Sequence, residues 1–541
     1  RNSTHFGHLH PYLSRKKHPC VILCHIYPNP VFREIEHRKQ NNMAPHQTHK
    51  AIEGDDLDYH QSGRALGSII GSAVGDATGA PFEFGPGGQW LRRFPKPVLG
   101  GMGEMVGGGS FDWEPGEFTD DTQMAMALAE SLISSGGFDV DSVWEFFRAW
   151  YKDAVDVGIN TGRVLRQTRH EGAAEAAHRA HGQSASNGSI MRIAPVGVFG
   201  VRLGRADTIR LAIQQSDVTH FDRAAATGAA IVAEVIRHCI VTGDFESALS
   251  EETFVAVAHE LGAEGEALVA PYRQLLAPTF DPYTYEGHSN GSAWVATAQA
   301  VWAIRSTSNF HDAIVAAIEL GGDTDTVAAI AGSMAGALYG IQGIPVRWTT
   351  HVHGYLTLPN GEKKHYRTQD LLNVARCLLG LGNAHMSRPD TKFPAKEVHE
   401  AGVLAASLEG AADVDTSVAV VSLCLVADRF VNHSHRRLVF LRDEPRMYNP
   451  NLHFVVRDAV DAVNAFLHEG KKVVVHCHGG RSRTALVLKA WYMQHENKTH
   501  DEAHEWLSDT WPHYETWNDS FWDYLENEWT AHLANCLKEN K

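Results

Sequence analysis

Apolar residues recur at helical spacing from Gly63 to about Ala384. Segments such as Met124-Ala-Met-Ala-Leu-Ala-Glu-Ser-Leu-Ile and Val327-Ala-Ala-Ile-Ala-Gly-Ser-Met-Ala-Gly-Ala-Leu carry small residues at spacings that let helices approach closely. Strand signals are sparse there, so the pattern predicts an all-α domain over 60–385. It breaks at Ser387-Arg-Pro-Asp-Thr-Lys-Phe-Pro394, which predicts a linker over 386–399. Beyond it, β-branched runs alternate with helical stretches. Val418-Ala-Val-Val-Ser-Leu-Cys-Leu and Lys472-Val-Val-Val-His476 read as strands, and Phe454 to Leu467 reads as an amphipathic helix. This alternation predicts an α/β domain over 400–541. Residues 1–59 show no apolar periodicity and read as a disordered, basic, His-rich tail.

Charge sharpens that division. Of 541 residues, 48 are Lys or Arg and 64 are Asp or Glu, a net charge of −16. The first 50 residues carry eight basic and two acidic groups, so the remainder is more acidic than the total suggests. Such a balance opposes a nucleic-acid coat protein and leaves nucleic acid only as a modified substrate. No uninterrupted apolar run reaches the roughly 18 residues of a membrane span. Seven scattered cysteines fit a reducing, cytoplasmic setting better than a disulfide framework. Met43 is an alternative start for the chain. His18, Cys20, Cys24 and His25 match no closed zinc pattern and read as incidental.

Two aspartate clusters stand before Ala-rich helices: Thr119-Asp120-Asp121-Thr122 and Gly322-Asp323-Thr324-Asp325-Thr326. Each alone reads as a helix cap favoured by the macrodipole. Together they place four carboxylates and two hydroxyls at two helix starts. If these converge, repulsion raises the carboxylate pKa values or recruits counter-ions. Oxygen ligands without His or Cys select Mg²⁺, Mn²⁺ or Ca²⁺. Three further segments join them: Gly75-Asp76-Ala-Thr-Gly79-Ala-Pro-Phe-Glu83, Ser186-Asn187-Gly188-Ser189-Ile-Met-Arg192, and Asp217-Val-Thr-His220. The second is a polar turn whose backbone N–H groups suit a phosphate or a ribose.

In this order the motifs resemble the ADP-ribosylglycohydrolase family over about residues 60–385. The resemblance implies an all-helical fold with a centre of two Mg²⁺ (or Mn²⁺) ions. It implies Thr119, Asp120, Asp121, Asp323, Asp325 and Thr326 as metal ligands. Glu83 would assist water attack or leaving-group departure. Asn187, Gly188, Ser189 and His220 would line the ADP-ribose site. The stretch Glu286-Gly-His288-Ser-Asn290-Gly291 departs from the family pattern and receives no role. The substrate would be an ADP-ribosylated protein or small-molecule conjugate.

The second site is Val473-Val-Val-His476-Cys477-His-Gly479-Gly480-Arg-Ser-Arg483-Thr484, a strand, loop and helix start with C-x5-R spacing. Loop N–H groups form an anion cradle whose field favours a thiolate at Cys477. Arg483 suits bidentate contact with a phosphoryl group. A sulfur-transfer loop is the competing reading of this spacing. The segment is similar to the dual-specificity and protein-tyrosine phosphatases over about 400–541. That similarity implies Cys477 as nucleophile, Gly479 and Gly480 in the cradle, and Thr484 as the hydroxyl that helps break the phosphocysteine. Asp443 in Leu441-Arg-Asp443-Glu-Pro445 is the best match for the general acid, with Asp458 second and expected at the surface. The expected substrate is a phosphorylated protein or a phosphorylated ADP-ribose product. The whole reads as a bifunctional hydrolase. The alternatives are a non-catalytic reader of ADP-ribose or phosphate in one domain, or a phosphatase on a degenerate hydrolase scaffold.

Overall fold

The computed structural model describes residues 57–182, 184–384 and 391–539. All but the last three residues of the expected tail lie outside the described residues, with Met43 and the His18/Cys20/Cys24/His25 group.

Four helices define the first domain: α1 (Tyr59–Gly79), α2 (Asp120–Ser135), α3 (Arg223–Thr242) and α4 (Thr324–Tyr339). Asp58 starts α1 by accepting the Gln61 N–H at 2.8 Å, and the Gln61 side chain returns the bond to the Asp58 N–H. Small residues then let α1 and α4 meet backbone to backbone. A Cβ placed on Gly75 would lie 2.0 Å from the Ala328 carbonyl oxygen, and one on Gly71 2.3 Å from that of Gly332. Apolar α3 is a core helix. Its buried Glu234 holds Arg237 at 2.7 Å and Arg205 at 2.9 Å.

The helical expectation for this domain holds with one exception. Strands β1 (His353–Thr357) and β2 (Lys363–Arg367) form an antiparallel hairpin. Its runs of five residues are too short to stand out in sequence beside long helices. The hairpin matters to the site: Phe118 donates its N–H to the His353 carbonyl at 2.9 Å, and its buried ring fills the place where a Cβ on Gly354 would sit. This fixes the segment entering Thr119.

The second domain is built on five strands: β3 (Lys396–His399), β4 (Val403–Ser407), β5 (Ala419–Ser422), β6 (Arg436–Leu438) and β7 (Val473–Cys477). Their order is β3-β4-β7-β5-β6, with β3 antiparallel to β4 and the other pairs parallel. Because β3 belongs to this sheet, the linker expected over 386–399 ends sooner than its polar composition suggested. Central β7 is buried along its length, and its side chains alternate. Val473 and Val475 join the core beneath α5 (Leu452–His468) and α6 (Ser482–His495), while Val474 faces Leu408, Val426 and Phe430. Cys477 therefore sits at the carboxyl end of the middle strand, where open α/β sheets place their ligands.

Candidate active sites

Four parts of the first domain bring carboxylates to one cleft. The last turn of α1 supplies Asp76, and Glu83 follows the short turn Ala80–Phe82. Asp120 and Asp121 open α2, while Asp323 and Asp325 flank the start of α4. Carboxylate oxygens of Glu83, Asp323 and Asp325 lie within 4.8 Å of one another. The Thr326 hydroxyl donates to Asp121 at 3.3 Å, which joins the two helix starts. Asp76 works from behind. It accepts the Thr119 and Thr122 N–H groups at 3.0 Å and the Thr122 hydroxyl at 2.6 Å, and so sets the first turn of α2.

Crowding and burial govern the charges. Burial, with the Asp156 carboxylate next, pushes Glu83 up to about 8. Burial raises Asp120, Asp121 and Asp325 well above the usual carboxylate range, with further contributions from their acidic neighbours. Asp76 and Asp156 are pushed up to about 6, mainly by burial. Asp121 Oδ1 and Glu83 Oε2 are buried without a hydrogen-bond partner among the described residues. Oxygen donors, mutual repulsion and orphaned oxygens fit hard divalent cations.

The polar turn at 186–189 flanks this cleft. Asn187 Nδ2 donates to Asp323 at 2.7 Å and to the Asn290 carbonyl at 3.0 Å. Ser189 is buried and bonded to Ser216 at 2.8 Å. His220, expected to line the ligand site, is fully buried instead. Its ring nitrogens meet Ser186 at 2.9 Å and Thr219 at 2.8 Å, and burial pushes it down to about 3. It is a neutral brace behind the turn, packed against Gly188, where a Cβ would come within 3.2 Å of the ring.

Two contributors escaped the sequence reading. Asp156 lies in the loop before the helix Ile159–Leu165, outside the motifs that mark the other acids. Asn290 lies in the stretch left without a role. It accepts the Asp323 N–H at 3.1 Å and donates to the Gly321 carbonyl at 2.9 Å, and thereby shapes the aspartate turn. Its signal was the Asn-Gly pair at 290–291. Next to Asp156, Val157 and Gly158 line a cavity of about 870 Å³ whose other walls include Arg148, Lys152, Arg163 and Arg166.

In the second domain, the loop between β7 and α6 curls around Cys477, which is 2% exposed. Gly480 has φ +68°, and a Cβ there would lie 2.6 Å from the Ala406 carbonyl oxygen, so a side chain is barred twice. At the neighbouring Gly479 a Cβ would meet only the Arg481 side chain, at 3.6 Å. Arg483 Nη1 donates to the Leu423 carbonyl at 2.8 Å, while its buried Nε has no hydrogen bond and stands 3.7 Å from Asp443. Asp443 accepts from Ser482 at 2.8 Å and Asn518 at 3.3 Å, which places it at the mouth of the loop. The Thr484 hydroxyl is buried without a partner among the described residues. His476, beneath the loop, bonds Ser422 at 2.8 Å, and burial pushes it down to about 3. Asp458 is not at the surface: it is buried and accepts the Val346 N–H of the first domain at 2.7 Å.

A third titratable group, His399, His495 and Glu496, also brings ligand atoms together. There, His399 Nδ1 accepts the Ala401 N–H at 3.2 Å, so its Nε2 carries the proton facing Glu496 and offers no lone pair to a metal.

The family model for ADP-ribosylglycohydrolase matches residues 57–384. The chain belongs to the ADP-ribosylglycohydrolase family. The model for the catalytic domain of dual specificity phosphatases matches residues 427–529. An ADP-ribosylarginine hydrolase, Tri1 of Serratia proteamaculans, is 33% identical over 296 residues, covering 53% of this chain and 74% of that protein. The ADP-ribosyl-[dinitrogen reductase] glycohydrolase of Rhodospirillum rubrum is 34% identical over 289 residues, covering 53% and 88%. A solved ADP-ribosylglycohydrolase-related protein complex is 27% identical, with a TM-score of 0.44 over 60% of this chain and 99% of that one. This ADP-ribosylglycohydrolase is thus a hydrolase that carries a phosphatase domain.

Proposed function

We propose that the first domain is a divalent-cation-dependent hydrolase that releases ADP-ribose from arginine-linked substrates, and that the second cleaves phosphate monoesters through Cys477. One observation carries the first reading: acidic side chains from separate helices and loops crowd one cleft and leave two buried oxygens unpaired. The names of the relatives support the arginine linkage.

Thr119, Asp120, Asp121, Asp323, Asp325 and Thr326 would hold two Mg²⁺ (or Mn²⁺) ions. Such ions supply Lewis acidity and a lowered pKa for bound water. The rest falls to the chain. Water replaces the acceptor nitrogen at the anomeric carbon of the ribose, through an oxocarbenium-like transition state. Glu83 takes the proton of the attacking water or gives one to the departing nitrogen. Asn187 orients Asp323, and the turn at 186–189 would line the ligand site beside it.

In the second domain, the Cys477 thiolate attacks phosphorus while Arg483 steadies the phosphoryl oxygens. Asp443 protonates the departing oxygen, and Thr484 assists the breaking of the phosphocysteine by water. The Thr484 hydroxyl, buried without a hydrogen-bond partner among the described residues, supports this reading.

The test is incubation of purified protein with a panel of ADP-ribosylated acceptors, in Mg²⁺ and in chelator. ADP-ribose release from the arginine conjugate in Mg²⁺ alone is expected, and Asp325→Ala should lower it to background. Undiminished turnover by Asp325→Ala would sink the metal-site reading.

A further inference from the structure

The two helices that build the hydrolase cleft reach, at their far ends, the phosphatase loop that bears Asp443. α1 begins at Tyr59 and carries Asp76 near its end. α4 runs the opposite way, with Asp325 in its first turn and Tyr339 in its last. Helical rise sets those far ends roughly 20–25 Å from the carboxylates. At that end the Arg442 guanidinium lies 3.9 Å above the Tyr59 ring, and Asn451 donates to the Tyr339 carbonyl at 2.9 Å.

Gln342 follows in the turn after α4 and is 5% exposed. Its amide nitrogen donates to the Phe440 carbonyl and to Asn449 Oδ1, both at 2.9 Å. Both partners are acceptors, so the orientation of the amide is fixed. Asn449 is fully buried. It accepts the Arg442 N–H at 3.0 Å and donates to the carbonyls of Arg442 at 3.2 Å and Glu444 at 3.4 Å. It therefore clasps the backbone on both sides of Asp443.

We propose that Gln342 is a positioning residue for the phosphatase reaction: from the hydrolase domain it fixes Asn449, and through Asn449 the loop that holds Asp443 at the phosphate cradle. This rests on Asp443 being the general acid. In the first step the S–P bond forms as the ester O–P bond breaks, and the Asp443 proton goes to the departing oxygen. In the second, water oxygen bonds phosphorus, the Asp443 carboxylate takes the proton of that water, and the S–P electrons return to sulfur. A displaced Asp443 harms the first step most when the departing oxygen is strongly basic.

The test uses the full chain with two esters: phenyl phosphate, whose leaving group needs the proton, and 4-nitrophenyl phosphate, whose leaving group departs without it. Gln342→Glu keeps the size and sets a carboxylate against two acceptors. Gln342→Met keeps the volume and removes the donor, and serves if the first variant fails to fold. Both should lower kcat/KM, which reports the first step alone, about tenfold on phenyl phosphate and less than about threefold on 4-nitrophenyl phosphate. ADP-ribose release should stay unchanged. Asn451→Ala removes another bond across the same boundary without touching Asn449, and should lower Tm while keeping the ratio of the two rates. Equal losses on both esters, no loss on either, or the same split in Asn451→Ala would overturn the proposal. Asp443→Asn separates the two levels. If it shows the split and the Gln342 variants do not, only the positioning role falls. If it shows none, the general-acid assignment falls with it.

Discussion

Seven carboxylates meet at the hydrolase cleft, and six of them hold raised pKa values. This has a thermodynamic consequence. A carboxyl whose pKa is raised on folding binds more protons folded than unfolded, so its stabilising effect is complete at low pH and fades as pH rises. Without cations, stability should fall from about pH 4, the unfolded value, through the Asp76 and Asp156 range near 6 to the Glu83 value near 8. Bound cations favour the ionised forms and remove that slope. Thermal melts in chelator should show Tm dropping between about pH 5 and pH 8.5, with a flatter profile in excess Mg²⁺. Parallel profiles would refute a cation role for these residues. The clusters at 119–121 and 323–326 were legible because two acids and a hydroxyl recur beside a helix start. Asp156 was not, because only tertiary packing brings that loop to the cleft. His220 was expected at the ligand and lies buried behind the turn, since a Thr-His pair does not reveal which way the ring faces.

At the level of elements, close contact of α1 and α4 places Asp76 and Asp325 in one cleft. Ala/Gly periodicity announced close-packed helices, but not which helix meets which. Gly75→Ala would put a methyl 2.0 Å from the Ala328 carbonyl oxygen, and neither backbone can yield without parting the helices. We expect a loss of about 3 kcal/mol of stability, read by chemical denaturation, and a matching fall in ADP-ribose release. Gly63→Ala faces open space and should cost little. Similar effects of the two changes would contradict the packing argument. The C-terminal strands were legible for a plainer reason: β-branched runs buried on both faces read as near-continuous apolar segments. The hairpin at 353–367 was not, being short and half exposed.

For the whole molecule, the proposed function asks a chain of net charge −16 to hold anionic ligands at two sites. The carboxylate cleft would meet anions once cations offset it. The cradle at Cys477 meets them through backbone N–H groups and Arg483. The residues proposed to react at each site come from one domain, while contacts such as those of Gln342 join the two domains. The proposed function gives one chain two separable hydrolytic activities. It is tested most directly by assaying Asp325→Ala and Cys477→Ser side by side, with ADP-ribose release from an ADP-ribosylarginine protein in Mg²⁺ and phosphate release from 4-nitrophenyl phosphate. Asp325→Ala should lose the first activity and keep the second, and Cys477→Ser the reverse. Loss of both activities in either folded variant, or of neither, would contradict it.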